Sequence, residues 1–244
     1  MYFANYETDA ACVPYLSDRY IDETCEELVR RFDPMAAEHL HPVNIEQFIT
    51  RFMGLKLEKE YLSCDGSVLG ANVIVDTDRF PVFDPVSGRA EYRSVKAGTV
   101  FADKSLTEAG RLNRYRFTLA HEAGHAIWHG MYYRALVQKG KARKAFLSCA
   151  PHLTDGRAFD RERLTRQQLI EYQADRSASA LLMPAGAVRR LVSTMGEVRT
   201  MEDVEDRVIL TAGTFRVSDK AAMIRLQNLG LLGEKALSGR LLRV

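Results

Sequence analysis

Two histidines and a glutamate occur together in the segment His121-Glu122-Ala123-Gly124-His125. Because residues four apart lie on one face of an α-helix, both imidazoles can reach one tetrahedral Zn²⁺ ion. The glutamate then lies beside the metal, where it can serve as general base toward water. Two surface histidines on an amphipathic helix are the alternative, but the surrounding helix is apolar, where uncompensated polar groups are costly. The segment therefore predicts zinc ligands at His121 and His125 and a catalytic carboxylate at Glu122.

A catalytic zinc site needs a third protein ligand, since it takes three protein groups and leaves one position for water. The longer pattern HExxHxxGxxH is absent, because Trp128 and Met131 stand where it has its glycine and its third histidine. His129 is close in sequence, but it lies about 12 Å along the helix axis from His121, too far to share the ion. We therefore interpret His129 as a packing or second-site residue.

A second candidate helix carries two carboxylates one turn apart, Glu171 and Asp175. Glu171 can complete a His₂Glu ligand set, and Asp175 can accept the free N–H of a ligand histidine and so fix its tautomer. The two acids could instead form solvent-exposed helix pairs with Arg166 or Arg176. The small residues at 178–180 favour the metal site, because they allow this helix to approach the first one closely.

The two motif-bearing segments resemble the ImmA/IrrE family of metallopeptidases. The first is RFTLAHEAGHAIWH at 116–129 and the second is EYQADRSASALLMP at 171–184, in the order found in that family. The resemblance covers roughly residues 40–232, including TVFADKSL before the motifs and FRVSDKAAMIRLQNLGLL after them. Glu171 follows His125 by 46 positions, which is a long spacing for the family.

The resemblance implies a zinc-dependent endopeptidase that cleaves a regulatory protein, such as a mobile-element repressor. It implies an α+β fold with a mainly helical, zincin-like core, a small β-sheet and a helix-turn-helix-like segment at the C-terminal end. Carried over position by position, it gives the metal ligands His121, His125 and Glu171, the catalytic acid/base Glu122 and the supporting residue Asp175.

The elements that must position these residues can be predicted from local signals. Asn113 can cap the first motif helix and Gly130 can end it, while Thr165 and Gln168 form a capping box for the second, which Pro184 stops. Apolar periodicity predicts further helices at 18–32 and 43–53. Short alternating segments within 55–106 predict strands, with a loop or hairpin at 80–93. We predict an N-terminal helical extension at 1–39, a zinc metallopeptidase domain at 40–195 and a helix-turn-helix-like segment at 196–244.

The interval between the two motif helices offers weaker signals. Its basic run, Lys139, Lys141, Arg143 and Lys144, could bind an acidic partner, although exposed basic loops are usually only solvated. Cys149 and His152 could act on the metal or the transition state, although a lone CxxH carries little information. Candidates for stabilising an oxyanion are Tyr132, Tyr133 and Tyr172.

The C-terminal segment reads as a helix, a turn at 216–218 and a second helix with Ser218 as its N-cap, which is typical of a helix-turn-helix. The second helix carries only two basic residues, Lys220 and Arg225. Specific DNA binders make many phosphate contacts, so DNA binding is possible but is not favoured. A structural or partner-docking role is the preferred interpretation.

Composition excludes several classes of protein and of partner. Hydrophobic residues make up 46% and charged residues 27%, which is typical of a globular chain. The net charge of +2 is too small to attract nucleic acid or an anionic membrane through the overall charge of the protein. The longest apolar run, residues 177–188, is shorter than the roughly 20 residues that span a bilayer. We expect no membrane partner.

The location expected from the sequence is a reducing cytoplasm. The N-terminus carries acids where a secretory signal carries basic residues, and the four cysteines form no CxxC pair. Besides the endopeptidase, two alternatives stay open: a peptidase-like sensor or transcription regulator, and a non-catalytic partner-binding module of the toxin–antitoxin type. Because a pure binder has no need of Glu122, the enzyme is preferred; its oligomeric state is left open.

Overall fold

A computed structural model of the chain describes Thr8 and residues 13–140, 146–149 and 164–232, the strand 146–149 through its backbone alone. The helices in this part of the chain are α1 Asp18–Phe32, α2 Pro34–Glu38, α3 Ile45–Gln47, α4 Leu112–Trp128, α5 Gly130–Gln138, α6 Arg166–Leu182, α7 Ala185–Ser193, α8 Met201–Phe215 and α9 Asp219–Asn228. The strands are β1 Lys56–Glu60, β2 Gly70–Val73, β3 Thr77–Asp84, β4 Arg89–Val95, β5 Thr99–Asp103 and β6 Phe146–Cys149. The α+β class predicted from the sequence is confirmed. None of the described helices has the length and apolar character needed to span a bilayer.

The small sheet is mixed and has the strand order β1-β5-β2-β6. β1 runs parallel to β5, whereas β2 pairs with both β5 and β6 in antiparallel fashion. Gly70, at the start of β2, lies opposite Ala102 of β5 and Cys149 of β6. The predicted loop or hairpin at 80–93 is a two-stranded antiparallel ribbon formed by β3 and β4.

Helix boundaries follow the predicted signals at most ends. α1 covers the predicted range 18–32, and Pro184 follows the end of α6. The capping box is present: Gln168 N donates to Thr165 Oγ1 at 3.3 Å, and Thr165 N donates to Gln168 Oε1 at 2.9 Å. The helix predicted at 43–53 is only α3 followed by a π-helical turn, Phe48–Phe52.

The predicted start of the first motif helix is wrong, whereas its predicted end lies close to the observed one. α4 begins at Leu112, so Asn113 lies inside the helix and Arg111 occupies the cap position without a side-chain capping bond. α4 ends at Trp128 with His129 as its C-cap, so Gly130 follows that helix, but a second helix, α5, begins at Gly130 itself. A glycine ends a helix by adopting a positive φ angle, and Gly130 does not have one.

Two compact units divide the described residues. The first consists of the described residues of 1–17 and 44–178, and the second of 18–43 and the described residues from 179 onward. The domain boundaries predicted at 40 and 196 stay predictions.

Two apolar clusters lie among the described residues of the first unit. One lies around the sheet, where the rings of Phe80 and Phe101 stack with centroids 4.2 Å apart. The other joins Val13 and Ile74 to residues of α5 and α6, including Tyr132 and Ile170. Because Val13 belongs to this cluster, the chain just before α1 is part of the core that surrounds α6.

The second unit contains the predicted helix-turn-helix-like segment. Ser218 caps α9 by accepting a hydrogen bond from Ala221 N, and Arg216 adopts a left-handed conformation in the turn, with a φ of 52°. The guanidinium of Arg225 is fully buried, donates to Asp22 Oδ1 at 2.6 Å and donates to the Met183 carbonyl at 3.0 Å. One of the two basic residues predicted on this helix is therefore internal and does not present its charge to a phosphate backbone.

Candidate metal centre

Helix α4 places its motif residues by packing against β2. Asn72 Nδ2 donates to the Glu122 carbonyl at 3.2 Å, which ties the middle of the helix to the strand. At Gly70 the backbone comes so near that an added Cβ would lie 2.6 Å from Glu122 Oε1 and 2.8 Å from Thr118 Cγ2. A glycine at the start of β2 therefore provides the space that the Glu122 carboxylate occupies.

A second close contact brings α6 to the other side of α4. A Cβ added at Gly124 would lie 3.0 Å from Ser177 Cβ and 3.1 Å from the Ala174 carbonyl. Trp128 Nε1 donates to Ser177 Oγ at 2.8 Å, and both groups are buried. Small residues on both helices thus allow the contact, and those that meet α4 here are Ala174 and Ser177.

The three predicted ligands converge at this contact. His121 Nε2 and His125 Nε2 are 2.9 Å apart, and Glu171 Oε2 lies 3.3 Å from the first and 3.6 Å from the second. The histidines are buried and the glutamate side chain is only 15% exposed. Glu171 therefore faces the imidazoles, as the predicted ligand set requires, and this group could hold a metal ion.

Asp175 lies against the outer nitrogen of the first ligand. Its Oδ1 is 2.8 Å from His121 Nδ1, and both groups are buried. With a carboxylate as the acceptor, the ring carries its proton on Nδ1 and leaves the lone pair of Nε2 directed at the other ligands. The structure places Asp175 where the sequence predicted it.

Glu122 and Glu171 have buried carboxylate oxygens without hydrogen-bond partners in the described part of the chain. Both oxygens of Glu122 and Oε2 of Glu171 are of this kind. Buried charged groups are costly without a partner, so the arrangement fits a cation held by His121, His125 and Glu171, close enough to Glu122 to interact with its charge. The geometry and the donor types agree on the same position.

The electrostatics of the two acids differ. Burial raises the pKa of Glu122 to about 8; the charge of His121 opposes this shift and that of Glu171 adds to it. Burial also tends to raise the pKa of Glu171, but the adjacent imidazoles of His121 and His125 outweigh it, so its pKa falls below the usual range. Glu171 is thus the anionic member of the group, and Glu122 is the one that readily holds a proton.

Two further residues lie next to the ligand group, His129, which the sequence suggested as a packing or second-site residue, and Gln173, to which it gave no role. His129 Nδ1 lies 2.9 Å from His125 Nδ1, and His129 Nε2 lies 2.9 Å from Gln173 Oε1. His129 lies outside the group that could hold a metal ion, but it contacts His125, which is a member of that group. The spacing of four residues from His125 could have indicated this contact, since residues four apart lie on one face of a helix. No sequence signal indicated Gln173. Burial, followed by the charge of His125, lowers the pKa of His129 to about 3.

The remaining candidates do not join the ligand group. Tyr132 and Tyr133 are buried with edge-to-face rings, and the Tyr133 hydroxyl donates to Gln167 Oε1 at 3.4 Å. Tyr172 is half-buried on α6. Outside the described residues lie Lys141, Arg143, Lys144 and His152, together with the side chain of Cys149.

Comparison with known proteins adds no family assignment. A scan of the chain against models of protein families finds no match, and a search of curated proteins finds none either. What the chain can do must therefore be argued from the side chains that α4 and α6 bring together. Those side chains form a buried group of two imidazoles and a carboxylate with the composition of a metal site.

Proposed function

We propose that this protein is a zinc-dependent endopeptidase of the ImmA/IrrE type. The observation that carries the proposal is the convergence of His121, His125 and Glu171, whose ligand atoms lie within 4.8 Å of one another. The unpartnered carboxylate of Glu122 belongs to the same buried region. A binding module needs the three ligands alone, whereas a hydrolase needs this fourth group as well.

The donor set argues for zinc among the common metals. Two imidazoles and one carboxylate are typical ligands of catalytic zinc, whereas calcium and magnesium prefer oxygen donors throughout. The ion would be held by Nε2 of each histidine and by the carboxylate of Glu171. When bound, zinc supplies a Lewis acid that polarises the peptide carbonyl and lowers the pKa of water.

The protein's own residues supply the proton transfers. The Glu122 carboxylate takes a proton from the attacking water and delivers it to the amine nitrogen of the leaving product. Burial raises the pKa of Glu122 to about 8 in the metal-free protein, and a bound cation would lower this value and so favour the ionised form that takes the proton from water. Asp175 holds the His121 ring in the ligating tautomer throughout.

The substrate that we propose is a regulatory protein in the reducing cytoplasm, cleaved at a discrete site. Weak activity on casein is expected, because a peptidase that acts among other cytoplasmic proteins must not degrade them. The alternative of a DNA-binding regulator is less well supported, since Arg225 of α9 is buried beside Asp22. A non-catalytic binding module leaves the buried Glu122 without a role.

The test combines metal analysis with identification of new protein N-termini in an extract of the source cells. Wild-type protein should hold about one zinc per chain and generate discrete new termini, because the site has one catalytic ligand set. Glu122→Gln should keep the zinc and lose cleavage by about 10²-fold or more, whereas exposed Glu91→Gln should behave as wild type. A fully active Glu122→Gln variant, or wild-type protein that never binds zinc, would overturn the proposal.

A further inference from the structure

A file of hydrogen bonds leads from His125 away from the ligand group. His125 Nδ1 meets His129 Nδ1 at 2.9 Å, His129 Nε2 meets Gln173 Oε1 at 2.9 Å, and Gln173 Nε2 donates to the Pro14 carbonyl at 3.0 Å. His125, His129 and Gln173 are at most 1% exposed. The file joins α4 and α6 to the segment that precedes α1, all within the first compact unit.

The last acceptor fixes the direction of every bond in the file. A carbonyl oxygen can only accept, so Gln173 must turn its NH₂ group toward Pro14 and its own oxygen toward His129. His129 must then donate from Nε2. In a neutral imidazole the other nitrogen is an acceptor, so His129 Nδ1 accepts a hydrogen bond from His125 Nδ1. The remaining nitrogen of His125, Nε2, is left with a lone pair.

That lone pair points at the ligand group. His125 Nε2 lies 2.9 Å from His121 Nε2 and 3.6 Å from Glu171 Oε2. The opposite polarity would put the proton on His125 Nε2 and block ligation, because only a deprotonated ring nitrogen binds a metal. The direction set at Pro14 is therefore the one that metal binding needs.

We infer that His129 and Gln173 are positioning residues, which act through His125 and hold it in the tautomer that binds metal through Nε2. The anchor of the file is the Pro14 carbonyl, so the chain before α1 belongs to the metal centre. This inference rests on the metal binding in the proposed function, but it concerns a neutral relay that exists without the ion. The two ligand histidines are thus held differently, His121 by the carboxylate of Asp175 and His125 by neutral groups.

The first test compares two substitutions of His129 in the full-length protein by zinc competition with a chromophoric chelator. The asparagine oxygen occupies the side-chain position of imidazole Nδ1, so His129→Asn keeps an acceptor for His125. His129→Leu fills the buried space and offers none. We expect His129→Leu to weaken zinc binding by about 10- to 100-fold, and His129→Asn to restore most of that loss.

A packing role predicts the reverse order, because leucine suits a fully buried position better than a polar amide does. Zinc binding by His129→Leu that equals or exceeds that of His129→Asn would therefore overturn the inference. Gln173→Met keeps the length of the side chain and removes both of its bonds. It should lower the zinc affinity in the same direction as His129→Leu.

The second test needs no substitution and no activity. Nitrogen-15 spectra of histidine-labelled wild-type protein report which ring nitrogen carries the proton. We expect His129 protonated on Nε2 with and without zinc, and His125 protonated only on Nδ1 in the zinc-bound protein. A His129 ring protonated on Nδ1 would overturn the relay. Failure of the protein to bind zinc with the expected His129 tautomer in place would instead contradict the proposed function.

Discussion

Each compact unit buries charged side chains, but Arg225 of the second unit and Glu122 of the first differ in whether they have a hydrogen-bonded partner. In the second unit the buried guanidinium of Arg225 is paired with Asp22 at 2.6 Å and also donates to a carbonyl. In the first unit the buried carboxylate of Glu122 has no hydrogen-bond partner among the described residues. A buried charge that only stabilises a fold comes with its counter-charge, whereas one that serves chemistry is kept available for a ligand or a proton.

The largest expected effect lies in the second unit. Arg225→Leu leaves Asp22 without its counter-charge in a largely buried position, so the free energy of unfolding should fall by about 3–5 kcal/mol. Denaturant unfolding of purified protein measures the change. The double variant Asp22→Leu/Arg225→Leu should recover much of the loss, since it removes both charges. A loss of under about 1 kcal/mol for the single variant would mean that the pair is not structural.

At the metal centre, removing a buried charge is expected to raise the free energy of unfolding of the metal-free protein. Glu122 has a folded pKa of about 8 against an ordinary value of 4.5, so metal-free protein loses stability as the pH rises between these values. Glu122→Gln stays neutral and avoids the loss. Its metal-free form should be more stable than metal-free wild type by about 2–4 kcal/mol at pH 8, and the difference should vanish near pH 4.

Denaturant unfolding in the presence of a chelator, repeated from pH 4 to 8, measures this difference. Zinc should shrink it, because a bound cation stabilises the ionised Glu122 carboxylate. The same substitution that removes activity would then stabilise the metal-free fold. If the difference in stability between the two proteins did not change with pH, ionisation of Glu122 would not be the cause of the lost stability.

A smaller effect is expected from filling the space beside Glu122. In Gly70→Ala the new Cβ would come within 2.6 Å of Glu122 Oε1 and 2.8 Å of Thr118 Cγ2. The neighbours must shift, so stability should fall by about 1–3 kcal/mol and cleavage should fall further than zinc binding does. Thermal unfolding, zinc titration and the cleavage assay together separate these effects. Equal losses of zinc binding and cleavage would mean that the ligands, and not Glu122, had moved.

The smallest effect, and the control for Gly70, is expected in α8. An added Cβ at Gly213 meets nothing within 4 Å, and the position is exposed inside a regular helix. Gly213→Ala should therefore raise stability by about 0.5–1 kcal/mol, since alanine loses less backbone entropy on folding. Thermal unfolding measures it. Destabilisation at Gly213 would indicate that the region around α8 is more tightly packed than its exposure suggests.

The ends of helices show how far local signals reach. The capping box at Thr165 and the N-cap at Ser218 were predictable, because each side chain bonds to backbone groups only three residues away. Gly130 follows the end of α4, but the helical path of the chain does not stop there. A glycine permits a positive φ angle but does not impose one, and here the chain continues directly into α5.

The site divides in the same way between local and long-range information. His121 and His125 lie on one helix face because of helical periodicity alone. The residue types at the site, two histidines and the glutamates Glu122 and Glu171, specify the chemistry. Glu171 was predictable as a candidate because acids one turn apart on a second helix match a familiar ligand pattern. The sequence left open whether Glu171 is a metal ligand or forms a solvent-exposed ion pair on its helix. The close approach of α6 to Gly124 places Glu171 beside the histidines.

The amino-acid sequence by itself determined the chemical content of this protein: the α+β composition, the two motif helices and the residue types that can bind a metal and move a proton. The tertiary structure decided which of those groups meet. It brought Asp175 to His121 across 54 positions and linked Gln173 to the Pro14 carbonyl across 159. Such contacts have no local signal, because they arise from packing among helices and strands that are distant in sequence, and periodicity reports only which face a residue occupies.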